Sequence, residues 1–119
     1  MEALATQKQT EMAKLETARQ EILTEVEHLQ TELRNMAEPS ADEADVDAFE
    51  REKTWALVQS LQRKLESIDR AITLAKNGTY GLCQDCGERI DPARLDILPE
   101  ASLCLQCQRK FERRYRIRR

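Results

Sequence analysis

Glycine and proline number three each in this chain, and the aromatic residues are one tryptophan, two tyrosines and two phenylalanines, 4% of the sequence. Charged residues make up 34%. So few large apolar groups exclude a broad globular core and suit long amphipathic helices. No run of about 18 apolar residues occurs, so no segment reads as a membrane span. The N-terminal MEALATQKQTEMAK has neither the basic start nor the apolar stretch of a signal peptide. A cytoplasmic, reducing compartment is the expectation, and four cysteines kept there read as metal ligands rather than disulfides. Histidine occurs once, at His28, and no nucleophile–base pair or phosphate-binding glycine loop accompanies it. No residue is assigned a catalytic role, and an enzyme is not expected.

What the chain has in quantity is charge, unevenly placed. The net charge is −3 over 119 residues. Residues 109–119, RKFERRYRIRR, hold seven basic groups and one acid, a local +6, so the other 108 residues sum to −9. The acids concentrate around EPSADEADVDAFE, residues 38–50, where Pro39-Ser40 interrupts a long succession of helix formers. An acidic middle and a basic end bear on partners more than the mean charge does.

Residues 1–37 contain neither glycine nor proline. Leu15, Ile22, Leu29 and Met36 recur every seven residues, and Ala5, Met12, Val26 and Leu33 form a second row offset from it. This alternating 3–4 spacing is a coiled-coil seam, interrupted at Lys8 and Arg19. Pro39 ends the helix, because the residue before a proline avoids the α region. A second helix carries Val58, Leu61, Leu65, Ile68, Ile72 and Ala75 at the same spacing and stops at Asn77-Gly78. Toward its start Arg51 and Thr54 take seam positions and Trp55 falls off the seam, while His28 points to solvent. Ser40 or Asp42 can cap its N-terminus.

Two such helices joined by about five residues predict an antiparallel hairpin. At 1.5 Å per residue it is a rod of roughly 50 Å. Periodicity is also compatible with an intermolecular bundle, but Pro39 and the matched arm lengths favour the hairpin. The expected division is a hairpin over residues 1–77, with an acidic tip at about 38–47, and a metal-binding unit over 78–119.

Cys83 and Cys86 form one CxxC, Cys104 and Cys107 another, with 17 residues between the pairs. Two thiolates three apart face one ion from a tight turn, and Gly87 after the second permits an unusual backbone angle there. Two such corners supply a closed tetrahedral S₄ set for structural Zn²⁺. Iron in the same cage and a redox dithiol are the rival readings. So short a segment cannot fold on its apolar groups alone, so metal binding supplies folding free energy on the order of 10 kcal/mol. A short helix is expected to start within the last CxxC. Its Cys107, Phe111 and Tyr115 would lie on one face against the hairpin base, and Arg109, Lys110, Arg113, Arg114 and Arg116 would cover the rest as a possible partner-contact surface. The fold class is therefore mainly α: a long antiparallel helical hairpin, a small four-cysteine zinc finger and a short C-terminal helix.

GTYGLCQDCGERIDPARLDILPEASLCLQCQ resembles the zinc finger of the DksA/TraR family of bacterial transcription regulators. The resemblance rests on Tyr80-Gly81, Cys86-Gly87, Ile90, Arg94-Leu95, Pro99 and Gln108 after the second cysteine pair. A long helical hairpin with acids at its bend, as in the DksA branch, extends the likeness along the chain. The family implies direct binding to RNA polymerase rather than sequence-specific DNA binding. The coiled-coil tip enters the secondary channel and alters open promoter complexes, often together with ppGpp. The family's tip motif is Asp-x-x-Asp-x-Ala. Asp42 and Asp45 match its acids, and Asp47 stands where it has alanine. In ppGpp-responsive members an arginine precedes the finger proline and a lysine follows the last cysteine. Here those positions are Leu98 and Gln108, which puts ppGpp synergy in doubt. The other functional reading open at this level is a zinc-ribbon adaptor that binds a protein or nucleic acid through its basic C-terminal helix.

Overall fold

The computed structural model describes residues 2–36 and 44–117; of residues 2–8, 44–47, 116 and 117 only the backbone is described. Among the described residues four helices follow in order: α1 (Glu2–Asn35), α2 (Ala44–Asn77), α3 (Pro92–Ile97) and α4 (Leu105–Ile117). The molecule measures 64 × 39 × 20 Å. No helix among the described residues is long and apolar enough to cross a membrane.

The seam expected from the heptads is the core of the long arm. Ile22 and Val26 on α1 pack with Val58 and Ile68 on α2, flanked by Ala18, Leu29, Leu33, Leu61, Leu65 and Ile72. Leu15, Val58 and Ile68 are fully buried. The interruption at Arg19 also has a structural reason, because its Nε donates to Asp69 Oδ1 on the facing helix at 2.8 Å. Leu33, near the end of α1, shares a groove with Arg51, Glu52 and Trp55 of α2. These pairings run in opposite directions along the two helices, so α1 and α2 form an antiparallel hairpin. They also place the end of α1 level with the Arg51–Trp55 turn, and the turns of α2 between Ala44 and that level have no described turn of α1 beside them. Residues 36–43 separate the helices, more than the five expected. The candidate caps Ser40 and Asp42 lie outside the described residues.

The far end of α2 closes as Asn77-Gly78 predicts. Gly78 has φ +80°, its N–H donates to the Ala75 carbonyl at 3.2 Å, and Thr79 N–H donates to Leu74 at 2.9 Å. That pair of bonds is a Schellman closure, which needs the left-handed backbone angle glycine adopts without strain. From there the chain turns back, and residues 80–101 settle against the base of the hairpin. Tyr80 Oη donates to the Pro99 carbonyl at 2.9 Å, and Lys14 on α1 pairs with Asp96 at 2.9 Å.

Helix α3 has no counterpart in the seam periodicity, but its local chemistry is plain. Pro92 occupies the first turn, where its missing N–H is no loss, and the Asp91 carboxylate caps it by accepting from Ala93 N at 3.0 Å.

One expectation is corrected here. Phe111 and Tyr115 do not pack on the hairpin base: they are 58% and 59% exposed. The reason is competition for space. Leu95, Asp96 and Pro99 border the α1 side of the base, and Tyr80, Glu100 and Ala101 border the α2 side. Helix α4, tethered through Cys107, is left to project from the finger.

Candidate metal centre

The first cysteine corner is a short turn held by its own backbone. Gly87 N donates to the Cys83 carbonyl at 3.0 Å, Cys83 N donates to Glu88 at 2.8 Å, and Leu82 bridges Arg89 in antiparallel fashion. Gly87 has φ +76°, so the chain can reverse immediately after Cys86 and leave both sulfurs on the inside of the turn. The second corner is the start of a helix. Cys104 immediately precedes α4, its carbonyl accepts from Gln108 N at 2.9 Å, and Cys107 sits in the first turn. Gln84 N donates to Ser102 at 2.8 Å and ties one corner to the other. Cys83, Ile90 and Cys107 are buried together, with Leu95, Leu103 and Cys104 packed beside them.

The four Sγ atoms converge. All lie within 4.8 Å of one another, and Cys86 and Cys104 are 3.8 Å apart. Zinc–sulfur bonds of about 2.3 Å in a tetrahedron require sulfur–sulfur edges of about 3.8 Å. A disulfide requires about 2.05 Å, and none of the four cysteines is in one. Donor type, number and spacing fit zinc, and four sulfurs leave no position for substrate. The site is a structural C4 zinc centre.

Electrostatics say why a cation belongs there. Burial pushes the Cys83 thiol up, but backbone N–H groups of Cys86, Cys104 and Asp85 outweigh it and bring it down to about 6. The Cys107 thiol is pushed the other way, far above the ordinary thiol range, by its hydrogen bond with Cys104 and then by burial. Cys83 therefore favours its thiolate, while Cys107, bonded to Cys104 and buried, holds its proton. A dication replaces thiol protons with one central charge.

The remaining sequence-derived site residues fall in two other places. Asp42 lies outside the described residues. Asp45 and Asp47 lie at the start of α2, at the opposite end of the molecule from the cysteines, and their side chains are not described. Arg109, Lys110, Arg113 and Arg114 are exposed on α4, while the side chain of Arg116 is outside the description. His28 is exposed, as expected, 3.2 Å from Glu32 one turn away. Two features escaped the sequence reading. Tyr80, set beside the hairpin base, ties the start of the finger to the Pro99 turn; its place before the first CxxC is the only signal it gives. The exposed ring of Phe111 could not be told from a packed one by spacing.

Comparison with known proteins agrees with this geometry. Residues 78–113 match the prokaryotic dksA/traR C4-type zinc finger. The chain is 37% identical over 108 residues to the RNA polymerase-binding transcription factor DksA of Caulobacter vibrioides, covering 89% of this chain and 76% of that protein. It is 30% identical over 94 residues to the factor of the same name from Escherichia coli K12, covering 76% of this chain and 58% of that protein. The solved structure of transcription factor DksA2 from Pseudomonas aeruginosa superposes with a TM-score of 0.83 at 30% identity, over 93% of this chain and 87% of the other.

Proposed function

Because the chain belongs to the DksA/TraR family of zinc-finger transcription regulators, we propose that it binds RNA polymerase directly and modulates initiation by inserting the distal end of its rod into the secondary channel. The zinc finger is then the base that stays on the rim, and the acids Asp42, Asp45 and Asp47 travel at the tip.

The observation that carries this reading is the surface of α2 near Ala44. Phe49, Trp55 and Leu57 are 65%, 55% and 44% exposed, and elsewhere on α1 and α2 no large apolar side chain is comparably exposed among the described residues. At about 100° per residue, Trp55 lies some 60° to one side of the buried Val58, Leu57 about 100° to the other, and Phe49 directly opposite. Apolar groups on every side of a helix belong to a helix that is enclosed. The second copy of a rod covers one side; a channel covers all of them.

Acids delivered near a catalytic metal shift the local field, since a bound dication is often the largest charge nearby. Asp47, where the family pattern has alanine, adds a carboxylate to that end. At the two finger positions where ppGpp-responsive members carry an arginine and a lysine, Leu98 caps the end of α3 and Gln108 Nε2 donates to Glu112, so ppGpp is not part of this reading. The action is on polymerase in the cytoplasm, without sequence-specific contact to DNA and without catalysis by this chain.

The test is capture of the protein by core RNA polymerase, with competition by another secondary-channel factor, followed by transcription with Asp42→Asn/Asp45→Asn. The expected result is retained binding and lost effect on initiation. Unchanged transcription by the double variant sinks the role of the tip acids, and failure to bind polymerase sinks the whole reading.

A further inference from the structure

Helix α4 holds a feature that neither the metal site nor the rod uses. It leaves the zinc centre at Cys107 and presents the next two residues of that face, Phe111 and Tyr115, with more than half of each exposed. Exposed cations surround them at Arg109, Lys110, Arg113 and Arg114. A cleft of about 270 Å³ lies between α4 and the first cysteine turn, bordered by Gln84, Asp85, Lys110, Phe111 and Arg114.

We propose that α4 and this cleft form a binding site for single-stranded nucleic acid, with an unpaired base stacked on Phe111 and the phosphates held by Lys110, Arg114 and the cations beside them. Three properties select this ligand. The segment from Arg109 to the end carries +6, the complement of a phosphate backbone. A flat ring next to cations is the platform on which single strands stack, and bases in a duplex are not free to reach it. Gln84 and Asp85 place an amide and a carboxylate at the rim of the same cleft, a donor and acceptors for a base edge. The length of α4 beyond the cleft continues the positive charge, which favours a strand over a mononucleotide. This site does not depend on the polymerase reading, and its assay contains no polymerase.

The experiment is fluorescence anisotropy of the zinc-loaded full chain with a labelled oligo(U) of about 12 nucleotides, repeated across salt concentrations. Phe111→Ala should weaken binding roughly tenfold by removing one stacking platform. Lys110→Ala/Arg114→Ala should weaken it too and flatten the slope of log K against log salt by about 1.4, two phosphate contacts at 0.7 each. Duplex of the same length and free ATP should both bind more weakly than the strand. Phe111 is exposed, so zinc content and helicity of the Phe111→Ala variant should match the parent, and the comparison reads binding. Absence of binding at low salt overturns the proposal. Equal affinity for duplex, with no effect of Phe111→Ala, overturns it in favour of an electrostatic patch; ATP binding as tightly as the strand overturns it in favour of a nucleotide site.

Discussion

The hairpin and the finger solve the same problem with different physics. In the hairpin, two helices of 34 residues bury a narrow stripe of leucine, isoleucine and valine, and its stability is spread along the seam. In the finger, the buried group is Cys83, Ile90 and Cys107, two of which are metal ligands. Remove the sulfurs and one buried isoleucine remains, far too little apolar area to offset the entropy of ordering some thirty residues at 1–2 kcal/mol each. The hairpin is a distributed structure and the finger a focused one, and each should respond differently to damage.

The largest contrast is expected on losing the metal. Chelation of zinc, or Cys83→Ser, should unfold the finger with a loss on the order of 10 kcal/mol of binding-coupled free energy while much of the α1–α2 helicity persists. Metal analysis together with far-ultraviolet circular dichroism and amide exchange by region checks this. Loss of hairpin and finger in one cooperative step would erase the distinction between them.

A seam substitution should act in the reverse sense. Ile68 is fully buried in the hairpin core, and Ile68→Ala should cost about 2–5 kcal/mol in urea unfolding while leaving zinc stoichiometry intact. Zinc loss in that variant would mean that the finger depends on the hairpin for its fold.

Between the two units lies Tyr80. Burial first, and then Glu11, Glu100 and Asp96, push its phenol up to about 12, so it donates to Pro99 throughout the neutral range. Because the folded value lies above the ordinary phenol value of 10.0, this contribution is complete below pH 10 and is lost as pH rises toward about 12. Tyr80→Phe should cost about 1 kcal/mol at neutral pH and remove that alkaline decline. Denaturation midpoints measured across the window for both proteins decide it.

The smallest effect belongs to the surface. Arg19 and Asp69 pair at 2.8 Å, but both are well exposed. Asp69→Asn should change stability by less than about 1 kcal/mol, and less still at high salt. A larger loss would show that the pair, and not the apolar seam, sets how the arms align.

Much of this was legible in advance where chemistry is local or periodic. Leu15, Ile22 and Val26 read as core because heptad spacing puts them on one face, and Val58 and Ile68 answer them. CxxC pairs read as a tetrahedral site because each pair makes its own corner. Helix α3 was less legible: a six-residue helix has no period, and only Asp91-Pro92 marks it. The placement of Phe111 and Tyr115 was read wrongly, since spacing gives a shared face but not what that face meets. The alignment of the arms was not legible either. A heptad seam tolerates a shift by a whole repeat, and the Leu33–Trp55 groove and the Arg19–Asp69 pair are facts of three dimensions.

Two amphipathic helices, a stop at Gly78, four sulfurs in paired spacing and the opposition of an acidic middle to a basic end are written in the chain alone, because each follows from neighbours within a few residues. The register of the hairpin, the fastening of the finger through Lys14 and Asp96, and the exposure of Phe49, Trp55 and Phe111 are settled only in three dimensions. Those depend on which surfaces compete for the same space: residues 95–101 took the hairpin base and left α4 bare.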